Sequence, residues 1–215
     1  MRKTGMFVFA IALCSASLYA QKPKTVEYGG SVRFEGPAQE APATLMKIYS
    51  NLGPATSAYS SSAWSLNGPN SAAGLSQFIA MPFTPKANAH VSQVRAALQY
   101  NGSGANRVNL SLYSDASGVP GVLLAGPVTV KNLPTYFSCC KLASATFDNV
   151  AVTAGTQYWV VADTPAAGTG SDFYGVWAFV PPSKLSVGAD VGGGGWFSFQ
   201  ASVQEPAGAV YGTIP

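Results

Sequence analysis

The sequence has 215 residues, of which 47% are hydrophobic and only 10% charged, with a formal net charge of +3. An apolar chain so sparing of charge is not a disordered polypeptide, and the small positive balance is no footprint for nucleic acid. Glycine (23) and proline (15) suffice for many turns but are too few for a collagen-like or low-complexity chain.

The first residues read as an export signal. Met1, Arg2 and Lys3 form a short basic start, and residues 6–13 are an apolar run. Small residues then lead to Leu18-Tyr19-Ala20, a cleavage site before Gln21. The apolar run falls short of the roughly 20 residues of a membrane span. Cys14 offers a lipid-anchored alternative, but Leu13 stands where that pathway needs a small residue. A secreted protein, extracellular or periplasmic, is therefore expected, with no transmembrane segment in the mature chain. Losing Arg2 and Lys3 takes the net charge from +3 to +1, which removes any long-range attraction to polyanions or membranes.

Residues 21–43 carry Lys22, Lys24, Glu27, Arg33, Glu35 and Glu40 among Pro23, Pro37 and Pro42. They predict a loose N-terminal segment with one short strand over 26–34. A single domain follows over 44–215. Runs rich in Val, Leu, Tyr, Trp and Phe alternate with Gly, Pro, Asn and Ser clusters, the pattern of a sandwich or barrel. Strands are predicted at 45–50, 63–66, 75–83, 91–100, 108–113, 122–125, 128–132, 142–147, 157–163, 175–179, 196–203 and 209–212. In 108–113, Val108, Leu110 and Leu112 share one face, and Asn109, Ser111 and Tyr113 share the other. Asp115 is expected to cap the following turn through its carboxylate. Pro120-Gly121 predicts a type II turn with a positive φ at Gly121. No window of 11 or more residues carries a helical stripe. The fold class is all-β, an antiparallel β-sandwich with jelly-roll topology, and an immunoglobulin-like order is the alternative.

Several phrases resemble the choice-of-anchor R domains of bacterial secreted proteins. They are Ile48-Tyr-Ser-Asn-Leu-Gly53, Tyr113-Ser-Asp-Ala-Ser-Gly-Val-Pro-Gly121 with Leu124-Ala125, Cys139-Cys140, Thr153-Ala-Gly-Thr-Gln-Tyr-Trp-Val160 and Ala209-Val-Tyr-Gly212. The resemblance covers roughly 45–213. It implies an extracellular β-sandwich module, and it brings no catalytic residues to carry over.

Cys139 and Cys140 are the only cysteines once the signal is removed, and an exported chain meets oxidants. Neighbouring Cα atoms lie about 3.8 Å apart, less than the roughly 4.4–6.8 Å of ordinary disulfides. A bond between these two would close a tight ring. A vicinal disulfide is expected, with free thiols or intermolecular pairing as alternatives. Two adjacent cysteines and one distant His90 are a poor metal set, so no metal and no cofactor are expected. A structural calcium would need clustered oxygen ligands, and no Asp-x-Asp run supplies them. His90 lacks a Gly-x-Ser-x-Gly partner and reads as a strand-edge residue. Asp163 and Asp172 are the one carboxylate pair considered for glycoside hydrolysis; no catalytic residue is assigned.

Trp177 and Trp196, with Tyr174, lie in glycine-rich surroundings. They either offer a platform for a sugar ring or close one end of the core. The expected function is a secreted, non-enzymatic module with a structural or adhesive role at the cell envelope. The alternative is a carbohydrate-binding module using Trp177, Trp196 and Tyr174. A glycan or an envelope component is the expected partner, with no nucleic acid. A hydrolase ranks third, since a fold alone implies no activity.

Overall fold

The computed structural model describes residues 25–26, 45–54, 58–136, 141–180, 186–200 and 203–215. These residues form strands and turns, with no helix among them. The smaller sheet contains β2 (Met46–Ser50), β14 (Gly208–Thr213), β5 (Ala89–Ala96) and β9 (Ala143–Val152), in that order. The larger sheet runs β6 (Leu98–Ser103), β11 (Tyr174–Ala178), β3 (Ala63–Asn67), β4 (Gln77–Phe83), β10 (Tyr158–Asp163), β7 (Arg107–Asp115) and β8 (Pro120–Lys131). Off this path, β1 (Thr25–Val26) pairs with β3, and β12 (Ser186–Val191) pairs with β4 and with β13 (Trp196–Gln200).

The strand order is that of a jelly roll. Taken in chain order, β2, β4, β5, β7, β8, β9, β10 and β14 give one sheet as first-eighth-third-sixth. The other sheet is second-seventh-fourth-fifth. This is the two-sheet interleaving that distinguishes a jelly roll from an immunoglobulin-like order. Strands β3, β6 and β11 widen the larger sheet beyond β4. The strand pairs within both sheets are antiparallel.

Most predicted strands stand within a few residues of their expected places, and the differences have physical causes. The run 91–100 is two strands. Ala97 N–H donates to Ala207 O, and Ala97 O accepts from Ala178 N–H, each at 3.0 Å. There the chain crosses from the smaller sheet to the larger. Val94, Ala96, Ala97 and Leu98 are all buried, and a run buried on both sides hides the crossing from an alternation test. The expected strands 122–125 and 128–132 are one strand, β8, turned at Gly126 (φ 103°). Strand β12 has no counterpart among the predicted strands: Val187, Ala189 and Val191 alternate over only six residues, with the poor strand formers Gly188 and Asp190 between them.

The turn at 115–120 forms as expected in one respect and not in another. Gly118 N–H donates to Asp115 Oδ2 at 3.0 Å, so Asp115 does cap it. The positive φ values fall on Ser117 (58°) and Gly118 (90°), not on Gly121. Gly121 is needed for space: a Cβ there would sit 2.8 Å from Ala116 Cβ.

One apolar core fills the sandwich. Leu110 and Leu112 of β7, Val160 and Ala162 of β10, and Ile79 and Met81 of β4 face Val91 and Val94 of β5 and Val210 of β14. Burial of such side chains contributes about 1.5–3 kcal/mol each. The stretch before β14 is pinned by side chains. Trp64 Nε1 donates to Gln204 O at 2.9 Å, and Trp177 Nε1 to Ala207 O at 2.8 Å. Buried Glu205 accepts from Tyr49 Oη at 2.6 Å and from Asn51 Nδ2 at 2.7 Å. Burial, then the Glu205 charge and hydrogen bond, hold the Tyr49 hydroxyl well above its ordinary pKa. It therefore stays a donor.

Candidate recognition face

The outer face of the larger sheet collects the chemistry that the core leaves over. Strand side chains alternate between faces. With Tyr158, Val160 and Ala162 in the core, Trp159, Val161 and Asp163 of β10 must point outward. Register then sets Tyr113 beside Trp159, Ser111 beside Val161 and Asn109 beside Asp163. On the other flank, Pro82 stands beside Trp159 and Ala80 beside Val161. Gly188 adjoins Ala80, and Asp190 stands between Phe78 and Trp196.

A small apolar floor of Ala80, Trp159 and Val161 is buried on this outer face, and half-buried Tyr113 and Trp196 pack on it. Gly188 makes room for the floor, since a Cβ there would lie 3.1 Å from both Ala80 Cβ and Trp159 Cζ3. Trp159 Nε1 donates to Asp115 Oδ1 at 2.7 Å, and Gln157 Nε2 donates to the same oxygen at 2.8 Å. Burial pushes the Asp115 carboxyl up, but hydrogen bonds from Gly118, Trp159, Gln157 and Ser117 outweigh it and hold the pKa below the usual range. Asp115 thus works as a structural anion whose acceptors are occupied.

Beside this floor lies a polar relay. Thr129 Oγ1 donates to Asn109 Oδ1 at 2.9 Å, and Asn109 Nδ2 donates to Asp163 Oδ1 at 3.1 Å. The first bond fixes which way the Asn109 amide points, so its donor end faces the carboxylate. Burial pushes the Asp163 carboxyl up to about 6, against the opposing hydrogen bond from Asn109. Burial, then the Asp163 charge, raises the Tyr113 hydroxyl as well. Aromatic rings, an oriented amide and a poorly solvated carboxylate share one face. That combination can stack on an apolar ligand surface and hydrogen-bond its polar rim.

Of the candidate site residues named from sequence, Trp196 and Asp163 belong to this face. Trp177 is a correction. It is 0% exposed, and its indole N–H is spent on Ala207 O, so it closes the core and offers no platform. Its strand, β11, is buried on both faces, as Val176 and Trp177 together show. Tyr174 is half-buried on β11, facing Asn67 and Ser103, with β3 between its strand and β4. The three aromatics therefore form no common patch. Cys139 and Cys140 lie outside the described residues. Asp172 accepts from Ala105 N–H at 3.1 Å, a loop role separate from the Asp163 relay. His90 is exposed on β5, in register with Ala151 and Thr213. Among the described residues no group of three or more His, Cys, Asp or Glu could hold a metal ion.

Asn109, Tyr113 and Phe78 were missed as site residues, and Asp163 was considered only as a partner of Asp172, from which it stands apart. The signal for two of them was present, since alternation alone places Asn109 and Tyr113 on the polar face of β7. No protein-family model matches the chain, and comparisons with curated proteins and with solved structures give no significant match. The fold and this face define the class: a jelly-roll β-sandwich with an aromatic and polar outer sheet face.

Proposed function

We propose that the protein is a secreted, non-enzymatic β-sandwich module that adheres to an extracellular or cell-envelope component through the outer face of its larger sheet. The observation that carries this is the grouping of Trp196 and Tyr113 over a dry floor, beside the Asn109 and Asp163 relay. The export signal and the resemblance to choice-of-anchor R domains support the compartment. The test is binding of the exported protein to purified envelope fractions, alongside Trp196→Ala and Asp163→Asn. Either variant should weaken binding about tenfold or more, the scale of an interface hot spot. Equal binding by all three proteins would remove this face from the function. N-terminal sequencing of secreted material should begin at Gln21.

A glycan is the second reading of the ligand. Flat rings beside an amide and a carboxylate suit the C–H face and hydroxyls of a sugar ring. A glycan array with the same two variants separates a saccharide ligand from a protein one.

A further inference from the structure

Among the described residues strand β8 ends the larger sheet and β9 ends the smaller one, leaving an open edge between them. On that edge Val122, Leu123 and Leu124 are 70%, 44% and 41% exposed. They are three of the five large apolar side chains found exposed among the described residues, and they are consecutive. Directly beside them is a groove of about 350 Å³, walled by Leu124, Ala125, Gly126 and Val128 from β8 and by Phe147 and Asp148, among others, from β9. Leu124 belongs to both strip and groove.

We propose that this edge is where two copies of the chain pair about a two-fold axis, each placing its Val122-Leu123-Leu124 strip in the groove of the other. Three observations favour a second copy over another partner. The strip and the groove adjoin on one edge, so a two-fold rotation brings each onto the other. That is the self-complementarity an isologous contact needs. Residues 116–130 contain no charged residue, and Asp148 is the one charged side chain lining the groove, so the strips themselves bring no like charges together. Asp115 and Lys131 bound this stretch. Antiparallel pairing carries the Lys131 end of each strand toward the Asp115 end of the other, where the charges are opposite.

The contact is made by side chains. Pro120 and Pro127 of β8 have no N–H to give a neighbouring strand, which discourages a continued sheet. An isologous contact also closes at two copies, so a dimer is expected and not a fibre.

The test is sedimentation equilibrium of the exported protein, with and without reductant, over about 1–200 μM, a range suited to a modest interface. A reversible, reductant-insensitive dimer is expected. Val122→Glu and Leu124→Glu should each weaken it about 100-fold, because each would desolvate an unpaired carboxylate at the contact. Both side chains are exposed in the monomer, so melting temperatures should change little and show that the variants fold. Met46→Glu, at a site 55% exposed on the smaller sheet, should leave the dimer intact. The proposal is overturned by a monomer throughout the range, by a dimer that both edge variants retain, or by one that reductant alone dissolves. The last would assign association to Cys139 and Cys140.

Discussion

Replacing Asp115 by alanine should be among the most damaging single changes outside the core. Its carboxylate accepts from Gly118 N–H, Trp159 Nε1 and Gln157 Nε2 at 3.0, 2.7 and 2.8 Å. Trp159 is fully buried, so without Asp115 its indole N–H has no acceptor. An orphaned buried donor costs about 1–3 kcal/mol, and each hydrogen bond to a charged acceptor contributes about 1.5–3 kcal/mol. Because the three bonds share one group and do not add fully, a loss of about 3–5 kcal/mol is expected. At about 2–4 °C per kcal/mol for a chain of this size, the melting temperature should fall by roughly 10 °C or more. Asp115→Asn keeps an oxygen for Trp159 and Gln157 but turns an NH₂ toward Gly118 N–H. It should cost about 1–2 kcal/mol. Sign matters for pH. Hydrogen bonding depresses the folded pKa of Asp115, so its contribution is full above the unfolded value of about 3.9 and is lost as pH falls through the folded one. Urea denaturation at pH 7 and pH 3, with the Trp159 indole N–H resonance as local probe, measures this. An alanine variant within 1 kcal/mol of wild type, on the scale of an ordinary surface change, would refute the hub. So would an asparagine variant as damaging as alanine.

Asp163 should act in the opposite sense. Its carboxyl is pushed up to about 6 by burial, so the unfolded chain releases that proton first, and stability falls as pH rises from about 4 to 6. Asp163→Asn should gain on wild type between pH 4.5 and pH 7 by at most about 3 kcal/mol, measured by urea midpoints; an unchanged difference would contradict the burial. Gly212→Ala should destabilise by about 2–4 kcal/mol, because its Cβ would lie 1.9 Å from the His90 carbonyl oxygen; a melting temperature equal to wild type would show that β5 yields there. We further expect Cys139 and Cys140 to be joined in secreted monomer. Thiol counting under denaturing conditions should find no free thiol before reduction and two after it.

Much of the sandwich was legible because sheet-forming side chains alternate and turn residues punctuate them. In β7 the alternation of Val108, Leu110 and Leu112 with Asn109, Ser111 and Tyr113 gave both the core face and half of the outer face. Asp115 was readable as a cap, since an Asp at the start of a tight turn acts on its own neighbours. These are short-range constraints, carried within a few residues. What needed the tertiary structure was long-range. The crossing at Ala97 depends on Ala178 and Ala207, which lie far along the chain. Trp177 and Trp196 both sit among glycines in the sequence. One is sealed in the core by the 204–207 stretch, and the other lies across an apolar floor built by β4 and β10. Local pattern fixes that a side chain faces one side of its strand. Which sheet covers that side, and which strand ends at an open edge, are decided only when distant strands take their order.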